Sequence, residues 1–199
     1  MTDAIRYQEK WAGGFGDDYQ SRNEVGAFER VDIWGLLLGQ ISFHSVLEVG
    51  CSRGHNLRCI KSNFNCDAMG IEINEKAIRE RYVDTIVKGS AYSLPFVDKQ
   101  FDLVLTAGVL IHLSDTIAAM REIYRTAKKY IISVEYFTDK EREINYRDDV
   151  YCYAKDFKKL WLDNFPDLKV VEEGNTKDFG ITVSEDDFST ACGYIILKK

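Results

Sequence analysis

Glu48, Gly50, Cys51, Ser52 and Gly54 stand between an apolar run, SVLEV, and the segment HNLRCIKSNF, whose apolar residues have helical spacing. A strand, a glycine-bearing turn and a helix in that order build a cradle for a nucleotide-like ligand. A dinucleotide fingerprint requires G-x-G-x-x-G. Those three positions hold Gly50, Ser52 and His55, so two of them fail. The pattern that fits is acidic-x-Gly-x-small-x-Gly. Glu48 would repel a pyrophosphate and attract a cation at the loop's mouth. It has a second, compatible reading as an anchor for the loop's own backbone amides. A further carboxylate, Glu72, ends the run DAMGIE 24 positions later. That is near the ~20-residue offset at which an acid accepts from the two hydroxyls of a ribose. Ile73 beside it suits an adenine face, and Ser90 and Ala91 in GSAYSLPF suit an adenine edge.

A ligand with both an ammonium and a sulfonium satisfies that charge pattern. S-adenosylmethionine has both, and its carboxylate would use helix N-terminal amides. Methyl transfer to a hydroxyl or a protonated amine also needs a base. His112, directly after the apolar run FDLVLTAGVL, is the leading candidate, with an ordinary pKa suited to neutrality; it serves equally as a hydrogen-bonding group for substrate or the next helix. His44 and His55 are weaker candidates. Glu135 and Tyr136 end the next apolar run on the same rim, where they would bind an amine or hydroxyl, or Glu135 would pair with an arginine. Arg147, next to Tyr146 in INYR, suits a carboxylate or phosphate, or a surface salt bridge. Tyr19 and Arg22 are three apart and so share a helix face.

The elements that must position these groups follow from periodicity. Residues up to about 40 read as amphipathic helix, broken by glycines at WAGGFGDDY. From Ser45, five apolar runs alternate with helical segments, with Asn74 capping one helix and Ser114 or Asp115 another. TDKEREINYRDDVYCYAKDFKKLWLDNF is polar, tyrosine-rich and partly helical, and DLKVVEEGNT and ACGYIILKK read as two late strands. The prediction is a Rossmann-like α/β fold: a doubly wound, seven-stranded, mostly parallel sheet with its ligand beyond the carboxyl ends of the strands. One domain accommodates all of it, with residues 1–40 as an N-terminal helical lid, 45–136 as the cofactor-binding core, 137–166 as a substrate-side insertion and helix, and 167–199 as the closing strands.

Composition narrows the partners. A net charge of −6 without a dense Lys/Arg block argues against nucleic acid. The longest apolar run is far shorter than the ~20 residues of a membrane span. Five cysteines with no metal-ligand spacing read as core residues in a reducing compartment, so no metal is expected and the cytoplasm is the expected location. The sequence leaves the oligomeric state open.

Taken in order, Glu48–Gly54, Glu72, GSAYSLPFVDKQFDLVL and TAGVLIHL resemble the motifs of class I S-adenosylmethionine-dependent methyltransferases. The resemblance implies cofactor contacts from Glu48, Gly50, Cys51, Ser52, Gly54, Glu72, Ile73, Ser90, Ala91 and Ala107. It also implies a leading helix that closes over the cofactor, where Tyr19 and Arg22 would hold the methionine carboxylate and Trp11 and Phe15 would seal the lid. EKWAGGFGDDYQSRN, GVLIHL, YIISVEYF, INYR and KDF further resemble the methylases associated with pseudaminic acid biosynthesis. That likeness implies a sugar or nucleotide-sugar acceptor, met by Tyr146 and Arg147 in the insertion. Two positions depart from the pattern: Ser52 replaces a common loop glycine, and Ser90 a common acid. Two other readings remain: a methyltransferase fold that no longer methylates and serves as an interaction subunit, and a nicotinamide oxidoreductase, which the failed glycine pattern disfavours.

Overall fold

The computed structural model describes residues 3–22, 31–138, 140–147, 150–175 and 192–199. Its sheet is ordered by runs of apolar residues whose alternate side chains enter two different cores. Val46 of β1 (Ser45–Val49) and Leu103 and Leu105 of β4 (Phe101–Ala107) pack on one face; Leu47, Val49 and Val104 pack on the other. Burial on both faces is what a parallel strand between helical layers requires. One layer is α3 (Val31–Leu38) with α4 (His55–Asn63), centred on Trp34, Leu37, Leu57 and Ile60. The other is α6 (Thr116–Thr126) with α7 (Phe157–Asn164), centred on Met120, Ile123, Phe157 and Trp161.

The remaining strands are β2 (Asp67–Glu72), β3 (Ile86–Lys88), β5 (Ala127–Tyr136), β8 (Lys169–Asn175) and β9 (Cys192–Lys198), giving a seven-stranded sheet of order β3-β2-β1-β4-β5-β9-β8. Strands β1 to β5 pair in parallel, while β9 runs antiparallel to both β5 and β8. The chain winds one way from β1 to β3 and the other way from β4 to β5. The crevice opens where the order reverses, at the carboxyl ends of β1 and β4.

Local chemistry sets the helix starts. Asn74 caps α5 (Glu75–Arg79) by accepting from Ala77 N at 2.8 Å. Asp115, rather than Ser114, caps α6 by accepting from Ala118 N at 3.1 Å. The glycine break separates α1 (Asp3–Ala12) from α2 (Gly14–Arg22). Gly16 allows the two helices to close, because a Cβ there would lie 1.9 Å from Trp11 O and 2.7 Å from Asn74 Nδ2.

The insertion is partly helical, as expected, but two strands that the sequence reading did not include precede its helix. It opens with an antiparallel hairpin, β6 (Arg142–Arg147) and β7 (Val150–Ala154), and only then enters α7. Val150, Cys152 and Ala154 are buried in alternation with half-buried tyrosines, a period of two that the tyrosine-rich composition obscured. No helix of the described residues is long and apolar enough to cross a membrane.

Candidate functional site

Four strand ends and the two leading helices enclose a single cleft. The loop after β1 supplies Gly50, Cys51 and Ser52; β2 ends in Glu72, Ile73 and Asn74; Ser90, Ala91 and Tyr92 follow β3; Ala107 ends β4, and His112 follows it. From above, α1 contributes Tyr7, Gln8 and Trp11, and α2 contributes Tyr19 and Gln20. The cleft is open at its mouth, and with the solvent there included it measures about 1270 Å³.

The loop is held in left-handed turns: Gly50 has φ 70°, Ser52 φ 50° and Gly54 φ 82°. Gly54 sits at the N-cap of α4, and a Cβ there would lie 2.7 Å from Val83 Cγ2. Ser52 occupies a region that side chains enter rarely. Two bonds hold it there: its N–H donates to Glu72 Oε2 at 2.7 Å, and its hydroxyl donates to Gln20 Oε1 at 2.7 Å.

Electrostatically the cleft is acidic. Glu48, 2% exposed, accepts from Asn56 Nδ2 at 2.6 Å, and Asn56 Oδ1 in turn accepts from Trp34 Nε1 at 3.1 Å. Its anchor is thus a side chain of α4. Glu72, 8% exposed, accepts from the backbone N–H of Ser52, Ile73 (2.8 Å) and Asn74 (2.9 Å). Burial raises its pKa against the opposing pull of those amides. Three bonds leave one of a carboxylate's ~four acceptor positions, so Glu72 has room for one further donor rather than the two expected. Among the described residues, no lysine or arginine lines the cleft.

His112 ends a short 3-10 turn, Leu110–His112. Its ring packs on Trp11 (centroids 4.7 Å apart) and Tyr146 (5.5 Å), and its Nδ1 lies 3.3 Å from Cys152 Sγ of β7. Burial pulls its pKa down to about 4 and pushes the Cys152 thiol up to about 12. The imidazole is therefore neutral, and the thiol keeps its proton, throughout the physiological range. Trp11 also meets Phe15 at 4.9 Å and Tyr19 at 5.3 Å, so the site above His112 is walled by rings. His55 lines the cleft beside Tyr82, whereas His44 precedes β1 at the strand's amino end, outside the cleft lining, its backbone N–H donating to Asp102.

Several expected residues fall elsewhere. Glu135 is fully buried outside the cleft lining, and no described arginine pairs with it. It accepts from Val109 N and Leu110 N at 3.1 Å and from Ile111 N at 3.3 Å, tying down the 3-10 turn. Tyr136 is partly buried against the core and does not line the cleft. Arg22 turns away from Tyr19: Tyr19 faces Trp11, while the exposed Arg22 guanidinium lies 5.5 Å from the Phe15 ring. Tyr146 and Arg147 are exposed outside the cleft lining, although Tyr146 reaches the edge of His112. Sequence reasoning missed Gln8, Gln20, Tyr7 and Tyr92. The i, i+3 and i, i+4 relation of Gln8 and Tyr7 to Trp11 was the available signal.

Residues 47–130 match the family described as a methyltransferase domain. Demethylmenaquinone methyltransferase of Anoxybacillus flavithermus is 28% identical over 129 residues, covering 61% of this chain and 54% of that protein. The chain spans about half, or less, of the length of the curated relatives it matches. A solved methyltransferase of Methanosarcina mazei, described as SAM-dependent, superposes with a TM-score of 0.66 at 17% identity, covering 82% of this chain and 96% of its own. The S-adenosylmethionine-dependent methyltransferase of Mesorhizobium loti gives 0.65 at 9% identity, with 87% and 100% covered. The chain thus has the class I methyltransferase fold, and its residues 47–130 match the methyltransferase domain.

Proposed function

We propose that this chain is an S-adenosylmethionine-dependent methyltransferase acting on a small polar metabolite, a sugar or nucleotide-linked sugar methylated on oxygen or nitrogen. The observation that carries this reading is the charge of the cleft. Two buried carboxylates, Glu48 and Glu72, face a switch-point crevice that no described lysine or arginine lines. Such a cleft favours a ligand with ammonium and sulfonium groups over a pyrophosphate. Glu72 would take a ribose hydroxyl, Ile73 and Ala91 the adenine, and the loop from Gly50 to Gly54 the amino-acid end.

When bound, the cofactor supplies an electrophilic methyl group. The chain's own task is then to align an acceptor, exclude water and receive a proton. Trp11 and Tyr146 flank His112, and Tyr19 packs on Trp11; these ring faces would exclude water and stack on the C–H faces of a sugar. Arg22 and Arg147, both exposed beside Tyr146, suit the phosphates of a nucleotide carrier. For His112 to act as base, Nδ1 must carry the ring proton and donate to Cys152 Sγ, leaving Nε2 as the basic nitrogen. The partner is accordingly a small molecule in the cytoplasm rather than a nucleic acid, which the net charge of −6 would repel.

Calorimetric titration with S-adenosylhomocysteine, using NADH as the control, tests the reading. One-site binding of the first and none of the second is expected. Binding of NADH alone would overturn it.

A further inference from the structure

We propose that Gln20 and Gln8, one on each lid helix, are cofactor-binding residues, with Gln20 holding the carboxylate of the amino-acid end and Gln8 the adenine edge. The assignment rests on the methyl-donor reading above and deepens it. An amino-acid carboxylate entering this cleft meets Glu48 and Glu72 and, among the described lining residues, no lysine or arginine. Arg22, the cation expected for the task, lies over Phe15 instead. Neutral donors must therefore hold the carboxylate, and Gln20 is the lining side-chain amide bonded directly to the Gly50–Gly54 loop, whose backbone amides it would supplement.

Gln20 is 5% exposed and fixed at both ends. Its backbone carbonyl accepts from Arg53 Nη2 at 3.0 Å, and that guanidinium is in turn paired with Glu80 at 2.6 Å. Its side-chain Oε1 accepts from Ser52 Oγ at 2.7 Å, within the loop that cradles the amino-acid end. With the oxygen engaged, the amide presents its two N–H donors, for which no described residue supplies an acceptor. Gln8 repeats the arrangement at the other end of the cleft: its Oε1 accepts from Ser90 Oγ, while the Ser90 oxygen accepts from Tyr92 N at 3.1 Å. Each serine thus turns a lid glutamine so that its donors, rather than its acceptor, face the ligand. Such fixed donors bind without the entropic loss of ordering a side chain.

Two ligands separate the two ends. S-adenosylhomocysteine carries the amino-acid end and the adenine; 5′-methylthioadenosine carries the adenine alone. Calorimetry on the whole chain should show Gln20→Leu weakening S-adenosylhomocysteine about tenfold while changing methylthioadenosine less than about twofold. Gln8→Leu should weaken both ligands by about equal factors. Gln20→Glu keeps the shape and the Ser52 bond but replaces the amide donors with a charge that repels a carboxylate. It should cost S-adenosylhomocysteine more than Gln20→Leu does, again sparing methylthioadenosine, and it answers the question if the leucine variant does not fold. Unchanged S-adenosylhomocysteine affinity in the Gln20 variants, or equal losses for both ligands, would overturn the assignment while leaving the methyl-donor reading intact. Failure of the wild-type chain to bind either ligand would overturn that reading, and this assignment with it.

Discussion

Glu72 and Glu135 occupy the same station in the fold. Each is at or near the carboxyl end of a parallel strand, β2 or β5, and each accepts from three backbone N–H groups. Yet one lines the cleft and the other lies beneath it, fully buried. The difference is what covers them. Two of Glu72's donors come from its own strand end, so its outer side stays open to the crevice. All three donors to Glu135 come from the 3-10 turn after β4, which folds across it as a roof. A strand-end carboxylate becomes a ligand group or a scaffold according to whether the adjacent loop stands beside it or over it.

The largest effect that would break this comparison is on stability. Glu135→Ala leaves three buried N–H groups without an acceptor and should lower stability by about 2–4 kcal/mol, read by denaturant unfolding. Burial lifts the Glu135 carboxyl to about 7. Because its folded pKa is raised above the ordinary value of 4.5, its contribution is fully present below pH 4.5 and is lost as pH rises through 7. The deficit of the variant relative to wild type should therefore be greatest in acid and shrink above pH 7. A constant deficit from pH 4 to 9 would contradict the assigned burial.

Glu72→Ala should affect binding more than folding. The cleft side chain loses a charged acceptor, and S-adenosylhomocysteine affinity should fall at least about tenfold. A folded variant with wild-type affinity would show that Glu72, like Glu135, is scaffold.

What the sequence disclosed about these two residues follows from distance along the chain. Glu72 was legible as a ligand group because its frame is short and local: SVLEV, the glycine loop and GIEI lie within one stretch of 29 residues, 45–73. Glu135 looked the same, because its roof, Val109 to Ile111, comes from a segment more than 20 residues earlier. The central strands β1 and β4 were legible because double-faced burial leaves near-continuous apolar runs. The hairpin and the lid glutamines were not: Gln8 and Gln20 are polar residues on short helices, and only the serines across the cleft give them a direction. Those serines, Ser52 and Ser90, are also the two positions at which the chain departs from the resembled pattern.

His112 sharpens the comparison from the roof's other end. Glu135 anchors the turn that carries it, and burial brings its pKa to about 4. If it is the base, turnover should be lost as pH falls through about 4, where the ring protonates, rather than through the 6.5 of an ordinary histidine. His112→Ala should retain S-adenosylhomocysteine binding and lose turnover on the acceptor. An acid limb near 6.5 would mean that Trp11 and Tyr146 leave the ring in water during catalysis.

The smallest effect concerns Arg22. On sequence grounds it ranks with Tyr19 as a holder of the cofactor's carboxylate, since residues three apart share a helix face. In the structure the shared face divides at the cleft's rim: Tyr19 turns in toward Trp11, and Arg22 turns out over Phe15, exposed to solvent. A guanidinium in that position is screened by water and salt, and its contact with the Phe15 ring is of the exposed kind, worth roughly 0.5–1 kcal/mol. Arg22→Ala should therefore leave S-adenosylhomocysteine affinity within about twofold of wild type, and that affinity should vary little with ionic strength in either protein. A tenfold loss that high salt abolishes would place the guanidinium inside the cleft when ligand binds. The lid would then close by rotating α2 and exchanging the Phe15 contact for a carboxylate.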